Sequence, residues 1–401
     1  MGRKDFRFLN MTIYNHVTRR VGKEVQERID ALKIGQKMQD LPERLWHKSF
    51  RFYVKEDPTR VGGPNLRMIR LDPSKPSLTV TAFIFNKFVH PYENRFITPR
   101  EAARLQGFPD DLEFKGNLTS VQLQIGNAVP IPLGQAVFKT VLQHAKSVNP
   151  EKAEFNALSL FSGAGGLDIA ALNAGIDGAR WKTFASIEWD KDCCETLKSY
   201  PKNESKVFNI DINSVENAAE FCQKLGVSKN DVSLVYGGPP CQAFSQAGKQ
   251  RGITDPRGQL IGQFLRFVEE ISPNYFFMEN VRGLAGINKG KLLEEILASM
   301  RNLGYNVDYG LLNAADFGAA QLRKRLIFIG TKKELGKAAL PQPTHAATPD
   351  LLIQNKHRTV GDVFKGLPSC EVSQGNNNGH SKQKTTLRNY EPCPLEGQPF
   401  N

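Results

Sequence analysis

The sequence has 401 residues, of which 40% are hydrophobic and 23% are charged, and its formal net charge at pH 7 is +12. This length allows two domains, or one large domain and a small one, and the composition is typical of a soluble globular protein. No run of eighteen apolar residues occurs, so the sequence predicts no membrane span, and its charged start lacks the apolar stretch of a signal peptide. The six cysteines include no CxxC spacing, which disfavours a zinc site or disulfide framework and favours a reducing cytoplasm.

The first 150 residues carry most of the positive charge, with 24 Lys and Arg against 14 Asp and Glu. The rest of the chain is nearly neutral, with 29 against 27. A basic segment beside a neutral one favours a polyanionic partner, most plausibly nucleic acid, although charge alone names no partner. The elements predicted here are an amphipathic helix over 21–38, short extended pieces such as 77–85, a capped helix over 98–109, a helix over 133–145 and a polar linker over 145–156.

Residues 157–330 alternate between apolar strands and amphipathic helices. The predicted strands are 157–161, 183–188, 207–211, 232–238, 275–280 and 325–330, and the clearest helices are 166–173, 259–271 and 292–304. Strands separated by helices of this length predict a mostly parallel sheet covered on both faces, with ligands bound beyond the carboxyl ends of the strands. From about residue 369 onward, the tail is polar and lacks a core pattern.

A glycine-rich turn follows the first of these strands, in the run LFSGAGGLDIA over 160–170. Glu188 ends the next strand, about twenty residues on, and Asp211 ends the third. Glycines there let a ligand approach the backbone, and acidic strand ends accept hydrogen bonds from ribose hydroxyls. The pattern favours an adenosine-containing cofactor, but GAGG does not match GxGxxG, which disfavours a dinucleotide oxidoreductase.

Cys241 lies in the run GGPPCQAFS, directly after two prolines and a buried strand. The prolines stiffen the turn, which suits a nucleophile at the top of a sheet. A lone cysteine is as often a small buried hydrophobe, so this pattern alone leaves both interpretations open. Glu279, in MENVRGL, ends another strand at the same edge, either as a salt-bridge partner or as a proton donor. Arg323 and Arg325 lie two apart in QLRKRLIFIG, so they share one face as the chain enters a strand.

Six blocks together resemble the DNA (cytosine-5) methyltransferases of bacterial modification systems. These blocks are FSGAGG, GGPPCQAFS, MENVRGL, QLRKRLIFIG, RFITPREAARLQGFPD (95–110) and QIGNAVPIPLGQAV (124–137). In the usual family order the last two lie near the C-terminus, whereas here they come first, so the chain resembles a circularly permuted member. The resemblance implies an α/β fold, with a Rossmann-like S-adenosylmethionine-dependent methyltransferase sheet and a small, irregular target-recognition domain.

The permuted order implies five segments. They are a target-recognition region with its preceding helix (1–90), a C-terminal-type motif block completing the catalytic domain (91–144), a linker (145–156), the catalytic S-adenosylmethionine-binding domain (157–345) and a polar tail adjoining the recognition domain (346–401).

The resemblance implies that S-adenosylmethionine is the methyl donor and that no metal takes part. Glu188 would hold the ribose, Trp189 would lie against the adenine, and Asp211 would contact its edge. Further cofactor residues would be Phe161, Gly163, Gly165, Gly166, Leu167, Ile212, Pro239, Asn127, Ala128 and Val129.

The implied chemistry is covalent. The Cys241 thiolate would attack carbon 6 of a flipped-out cytosine, Glu279 would hydrogen-bond the ring nitrogen, and Arg323 with Arg325 would complete the catalytic set. DNA contacts would come from Gln246, Lys249 and Arg251 in the loop after the nucleophile, and from Arg60, Arg67 and Arg70 in the recognition region.

Three alternatives stay open beside the DNA methyltransferase: an RNA methyltransferase of the same fold, a non-enzymatic DNA-binding or inactive copy, and a remote dinucleotide oxidoreductase. The expected partner is double-stranded DNA, without membrane association, and the protein is expected to be a monomer in the bacterial cytoplasm. The resemblance leaves open a cognate restriction endonuclease that acts on the same site without forming a stable complex.

Overall fold

The structure is a computed structural model, and it describes residues 13–55, 68–82, 87–240 and 259–373. The chain divides into two units: unit 1 comprises Met1–Asn127 and Arg358–Asn401, and unit 2 comprises Ala128–His357. This division is coarser than the five segments expected from the sequence, which stay predictions.

The helices, in chain order, are α1 (Lys23–Ala31), α2 (Lys48–Lys55), α3 (Pro99–Gln106), α4 (Leu118–Asn127), α5 (Ile131–Val148), α6 (Gly166–Leu172), α7 (Lys191–Ser199), α8 (Ala218–Lys224), α9 (Gln259–Ile271), α10 (Lys291–Asn302) and α11 (Val360–Phe364). The strands are β1 (Val17–Arg19), β2 (Ile69–Arg70), β3 (Ser77–Leu78), β4 (Phe88–Val89), β5 (Glu154–Leu160), β6 (Arg180–Glu188), β7 (Lys206–Asn209), β8 (Val232–Gly237), β9 (Tyr275–Val281), β10 (Tyr305–Asn313), β11 (Gln321–Leu322), β12 (Lys324–Lys332), β13 (His345–Ala346), β14 (Asn355–Lys356) and β15 (Glu371–Ser373).

Unit 2 is built on a seven-stranded sheet in the order β10-β12-β9-β8-β5-β6-β7. The five strands from β9 to β7 are parallel, whereas β12 runs antiparallel to both β9 and β10. Every residue of β8 is buried, as expected for a strand covered on both faces. The predicted α/β sheet is confirmed, and the loops after β5, β6, β8 and β9 share one edge.

Helix α5 packs on α6 within unit 2. A Cβ atom added at Gly134 would lie 2.9 Å from the Cβ of Ala170, so the two helices approach closely because residue 134 has no side chain. The indole of Trp181, on β6, donates a hydrogen bond to the Phe138 carbonyl oxygen over 3.1 Å. The helix that precedes β5 in the chain is therefore part of the layer that covers the sheet.

Unit 1 has its own apolar cluster, formed by buried residues from the segments around α1, β2 and β4. Helix α3 begins with a capping box, because the Thr98 hydroxyl accepts from Glu101 N and the Glu101 carboxylate accepts from Thr98 N. It ends at Gly107, whose φ of +87° favours glycine. Strands β1 and β15 pair in parallel, and His16 Nε2 lies 2.7 Å from the Pro368 carbonyl oxygen.

The structure corrects four details of the prediction. The helix expected over 21–38 ends at Ala31, and the chain then turns at Gly35, with φ +77°. The extended piece expected over 77–85 contains only the two-residue strand β3, and residues 83–86 lie outside the described part. The linker expected over 145–156 is reduced to residues 149–153, because α5 continues to Val148 and β5 begins at Glu154.

The fourth correction concerns the far side of the sheet. The predicted strand 325–330, which is β12, is an antiparallel member of the mostly parallel sheet, and β10, which was not predicted, pairs with it over nine residue pairs. In the described ranges, no helix is both long and apolar enough to cross a membrane.

Candidate functional site

The glycine-rich turn after β5 has a backbone that few residue types adopt. Phe161, Gly163 and Gly165 have φ values of +54°, +55° and +83°, and a positive φ at a phenylalanine stores local strain. A Cβ at Gly165 would lie 2.5 Å from Leu197 Cδ1, whereas a Cβ at Gly163 would meet no heavy atom within 4 Å. The turn therefore favours glycine at 165, because of its positive φ and the nearby Leu197 side chain, and leaves open room beside the backbone at 163.

Glu188 joins this turn to the end of the neighbouring strand β6. Its Oε2 accepts a hydrogen bond from Gly163 N over 2.8 Å, and its Oε1 accepts one from Asp190 N over 2.9 Å. The side chain is nearly buried, and burial raises the pKa of Glu188, although the backbone hydrogen bonds oppose that shift. A carboxylate has about four acceptor positions, so both oxygens keep capacity for ligand hydroxyls.

Trp189 follows Glu188 and leaves 73% of its surface exposed, an unusual state for an indole. Its backbone is held by the next strand, because Asn209 Nδ2 donates to the Trp189 carbonyl oxygen over 2.6 Å. Asp211 is exposed and caps a short helical turn, where its Oδ1 accepts from Asn213 N. Ile212, in the same turn, is buried.

The segment before α5 reaches the start of α6 within unit 2. A Cβ at Gly166 would lie 3.0 Å from the Val129 carbonyl oxygen and 3.4 Å from Ala128 Cβ. Leu167 is 6% exposed and lies near Gly134 of α5, so it serves the packing of the two helices. Asn127, the third member of this predicted group, is exposed at the end of α4 and belongs to unit 1.

The turn that leads to Cys241 is fixed by its neighbours. Gly237 ends β8, and a Cβ there would lie 2.2 Å from the Leu160 carbonyl oxygen, so only glycine fits. Asn280 Nδ2, on β9, donates to the carbonyl oxygen of the buried Pro239 over 3.1 Å. Cys241 itself lies outside the described residues, two positions beyond this anchored proline.

Glu279 is a nearly buried carboxyl group beside the same turn. Its Oε2 would lie 2.9 Å from a Cβ added at Gly238, and its Oε1 forms an ion pair with Arg325 Nε over 2.6 Å. Burial raises the pKa of Glu279, and the charges of Arg325 and Arg323 oppose that rise. A carboxyl group in this setting holds a proton more readily than an exposed one, which suits it to donate a hydrogen bond.

Arg323 is 1% exposed, and burial together with the neighbouring Arg325 lowers its pKa well below the ordinary value. Its backbone N–H donates to Asn313 Oδ1 over 3.1 Å. The structure thus brings Glu279, Arg325 and Arg323 together where β9 ends and β12 begins.

The structure gives Arg70 a structural role instead of the predicted DNA contact. The residue is 4% exposed, and all five of its guanidinium N–H groups have acceptors within unit 1. These acceptors are the carbonyl oxygens of Ile29, Leu32, His90 and Glu93 and Oδ1 of Asn94. No donor is left for a phosphate, so the prediction for Arg70 is wrong.

The other predicted DNA-contacting residues lie outside the described part of the chain. They are Arg60, Arg67, Gln246, Lys249 and Arg251.

Sequence reasoning missed two residues that organise this edge of the sheet. Asn209 holds the Trp189 backbone, and Asp168 accepts hydrogen bonds from hydroxyls on three strands. A signal for Asp168 exists in the sequence: an acidic residue in the apolar start of a helix, with serines at Ser159 and Ser186 in otherwise apolar strands. In the described ranges, no group of three or more His, Cys, Asp or Glu side chains is placed to hold a metal ion.

Comparison with protein families gives a match across most of the chain. The family described as C-5 cytosine-specific DNA methylase matches residues 6–143 and 155–392. The interval between the two matched blocks coincides with the end of α5 and the short turn before β5.

Three curated relatives are bacterial type II methyltransferases. The chain is 40% identical over 232 residues to M.AquIA of Picosynechococcus, covering 54% of this chain and 90% of the relative. It is 36% identical to M.XorII of Xanthomonas oryzae, covering 53% of this chain and 46% of the relative. It is 35% identical to M1.HphI of Haemophilus parahaemolyticus, covering 54% of each. The chain therefore spans nearly all of the first relative and about half the length of the other two.

Proposed function

The chain belongs to the C-5 cytosine-specific DNA methylase family, and we propose that it methylates carbon 5 of a flipped-out cytosine in double-stranded DNA, with S-adenosylmethionine as donor. The observation that carries the chemistry is the buried Glu279 carboxyl, paired with Arg325 and lying beside the turn that leads to Cys241. It shares the sheet edge with the glycine-rich turn and Glu188, so one cleft would bring the methyl donor and the cytosine together.

The residues at the ends of β5 and β6 fit S-adenosylmethionine. The open space beside Gly163 admits the methionine part, the remaining acceptor positions of Glu188 suit the ribose hydroxyls, and the exposed Trp189 ring offers a flat face to adenine. Asp211, Ile212, Phe161, Gly165, Gly166, Ala128 and Val129 would line the remaining surface, with Asn127 and Pro239 as further predicted members. When bound, this cofactor supplies an electrophilic methyl group.

On the cytosine side, the thiolate of Cys241 adds to carbon 6, and the ring becomes an enamine that is nucleophilic at carbon 5. Glu279 donates a hydrogen bond to the ring nitrogen, so negative charge does not accumulate on the base. After methylation, loss of the carbon 5 proton restores the ring double bond and expels the thiolate. Arg325 holds the Glu279 carboxyl in place, and Arg323 adds positive charge behind it.

A target base inside duplex DNA must leave the stack to reach this cleft, which costs a few kcal/mol. The basic charge of the first 150 residues supports DNA, rather than a small molecule, as the substrate that receives the methyl group. Relatives named type II methyltransferases support a modification enzyme of a restriction-modification system. We further propose that it acts as a monomer in the bacterial cytoplasm. Any cognate endonuclease would act on the same sequence without forming a stable complex with it.

We also propose that the family's motif order is circularly permuted in this chain. Three observations support this: the family matches in two blocks, a short turn joins α5 directly to β5, and β1 pairs with β15 although they lie at opposite ends of the described chain. In a permuted enzyme the first two features mark the new connection, and the third brings together the two segments that the ancestral order would have joined.

The proposed activity is tested by incubating purified protein with plasmid DNA and S-adenosylmethionine and mapping 5-methylcytosine by bisulfite conversion. A parallel reaction uses tRNA as acceptor. Methylation of one cytosine within a recurring plasmid sequence is the expected result. Modification of tRNA alone would favour the RNA methyltransferase, and no modification of either acceptor would favour an inactive copy.

A further inference from the structure

Asp168 is a buried carboxyl group that takes no part in the proposed methyl transfer. It lies in the first turn of α6 and is 6% exposed. Its Oδ2 accepts from the Ser159 hydroxyl over 3.2 Å, and its Oδ1 accepts from the Ser186 hydroxyl over 2.7 Å and the Tyr236 hydroxyl over 3.3 Å. Burial of an ionised carboxylate is costly unless donors of this kind surround it.

Each of the three hydroxyls that donate to Asp168 is also hydrogen-bonded to a second, outer hydroxyl. We call each pair of hydroxyls a relay. Ser159 pairs with Ser162 over 2.8 Å, Ser186 pairs with Ser205 over 2.8 Å, and Tyr236 pairs with Thr183 over 2.9 Å. An ionised carboxylate only accepts hydrogen bonds, and a hydroxyl has one proton to donate. The charge on Asp168 therefore makes Ser159, Ser186 and Tyr236 donors to its carboxylate. Two of the outer hydroxyls also have another acceptor within reach: Ser162 donates to the Ile187 carbonyl oxygen over 3.4 Å, and Ser205 donates to Asn203 Oδ1 over 2.9 Å.

The relays connect the three adjacent strands β8, β5 and β6, and each strand ends at a part of the proposed site. Ser159 is on β5, just before the glycine-rich turn, and its partner Ser162 is within that turn. Ser186 is on β6, two residues before Glu188. Tyr236 is on β8, which leads to the anchored turn before Cys241. One carboxylate on α6 thus acts on the ends of three strands.

We propose that Asp168 is a positioning residue whose ionised carboxylate holds the glycine-rich turn and the end of β6 in the arrangement that binds the cofactor. The proposal rests on the proposed function, because it takes S-adenosylmethionine as the ligand. When the carboxylate gains a proton, one oxygen becomes a donor, at least one relay must reverse or break, and cofactor affinity falls.

Burial raises the pKa of Asp168 to about 6, although the serine hydroxyls oppose the rise, so protonation occurs at mildly acidic pH. Tyr236 stays a neutral phenol, because burial raises its pKa well above the ordinary value. Asp168 also lines a small pocket, separate from the proposed cofactor cleft. The other titratable groups that line this pocket are Tyr200, Lys202 and Glu204. Burial also raises the pKa of Glu188, and a comparison of wild type with an Asp168 variant separates its contribution to the pH dependence.

The test measures the Kd of S-adenosylhomocysteine, the product that remains when the cofactor has lost its methyl group, by calorimetry from pH 5 to pH 8. For wild type we expect the Kd to rise about tenfold between pH 8 and pH 5. For Asp168→Asn we expect a Kd about tenfold above wild type at pH 8 and a weaker pH dependence. A merely structural role would lower the melting temperature without changing the shape of the pH profile.

Two further variants keep the proposal testable if Asp168→Asn does not fold. Ser159→Ala removes one relay and is expected to raise the Kd severalfold. Ser233→Ala changes another buried serine, at the opposite end of β8, and is expected to leave the Kd unchanged. Equal Kd values for wild type and Ser159→Ala, or an Asp168→Asn profile identical to wild type, would overturn the proposal. A wild-type protein that binds no S-adenosylhomocysteine would instead overturn the proposed function and this inference with it.

Discussion

Arg325 and Glu279 meet across two antiparallel strands, with Nε of the arginine 2.6 Å from Oε1 of the glutamate. Strand β12 begins where β9 ends, because the two run in opposite directions. Arg323, just before β12, and Arg325, near its start, therefore lie at the edge where the parallel strands finish. The antiparallel direction of β12 therefore places the positive charge of Arg325 next to the Glu279 carboxyl group.

Glu279→Gln is expected to lower kcat at least about a hundredfold, the loss typical of a missing proton donor. The amide fills the same space but does not transfer a proton to the base. Binding of S-adenosylhomocysteine, measured by calorimetry, is expected to stay within about twofold of wild type, because the cofactor contacts lie on β5 and β6. A variant that keeps full methyl transfer would remove Glu279 from the chemistry.

The same substitution has a consequence for stability. The raised pKa of Glu279 means that its contribution to folding is present in full below the ordinary value of 4.5 and is lost as the pH rises through the raised value. Gln cannot ionise, so Glu279→Gln is expected to flatten the decline of the unfolding free energy above pH 4.5. Urea titrations of both proteins at a series of pH values measure this, and parallel curves would contradict it.

Glu188→Gln is expected to weaken cofactor binding about tenfold to a hundredfold, the loss expected for hydrogen bonds to a charged acceptor. The affinity for DNA is expected to change much less. Glu195→Gln, an exposed glutamate on α7, is the matched control and is expected to match wild type in both titrations. If DNA binding falls more than cofactor binding, the assignment of this cleft to the cofactor is wrong.

Cys241→Ala is expected to abolish methyl transfer while DNA binding, followed by gel shift, survives. The reason is that no covalent adduct forms at carbon 6, so carbon 5 stays a poor nucleophile. Cys222→Ala serves as the control, because burial raises the pKa of Cys222 to about 12 and its thiol stays protonated. Methyl transfer by the Cys241 variant would exclude the covalent mechanism.

Arg70→Met is expected to lower the unfolding free energy by about 3 kcal/mol, because it removes five hydrogen bonds and leaves buried carbonyl groups without donors. DNA affinity of the folded variant, and its salt dependence, are expected to match wild type. Arg44→Met, at an arginine whose side chain is 72% exposed, is expected to change stability by less than about 0.5 kcal/mol. Normal stability with weaker DNA binding would restore the original DNA-contact assignment for Arg70.

The permutation is tested by undoing it: Asn401 is joined to Met1, and the chain is opened between Pro150 and Glu151. This variant is expected to fold and to methylate the same DNA sequence at a rate within about tenfold of wild type, since exposed turns tolerate new termini. A control opened between Leu234 and Val235, inside β8, is expected not to fold. Loss of folding in the first variant alone would contradict the proposed order.

The local features of this fold could be predicted from the sequence, and the relationships between distant segments could not. Thr98, Pro99, Glu101 and Gly107 define α3 through local hydrogen bonds and backbone angles, and the bounds of α9 match the prediction. The direction of β12 depends on a connection through β10, which no local pattern encodes. Arg70 looked like a phosphate ligand because its carbonyl acceptors come from separate segments of the chain.

The residues of the candidate site also fall into those that could be predicted from local sequence and those that could not. Glu188, Glu279 and the glycines were visible because short motifs define them. Asp168 was not, since its role depends on hydroxyls from three strands that are far apart along the chain and become neighbours only in the sheet.

The pairing of β1 with β15 sets an order of events during protein synthesis. All of unit 2 emerges from the ribosome before residue 371, so its sheet has every strand available while β1 still lacks its partner. Domains that are complete fold first during translation. The apolar cluster of unit 1 comes from residues 29–96, which are synthesised first, but the pairing of β1 with β15 must wait for residues 371–373. A ribosome that stalls before residue 371 therefore leaves a complete seven-stranded sheet and an unpaired β1 in the same chain.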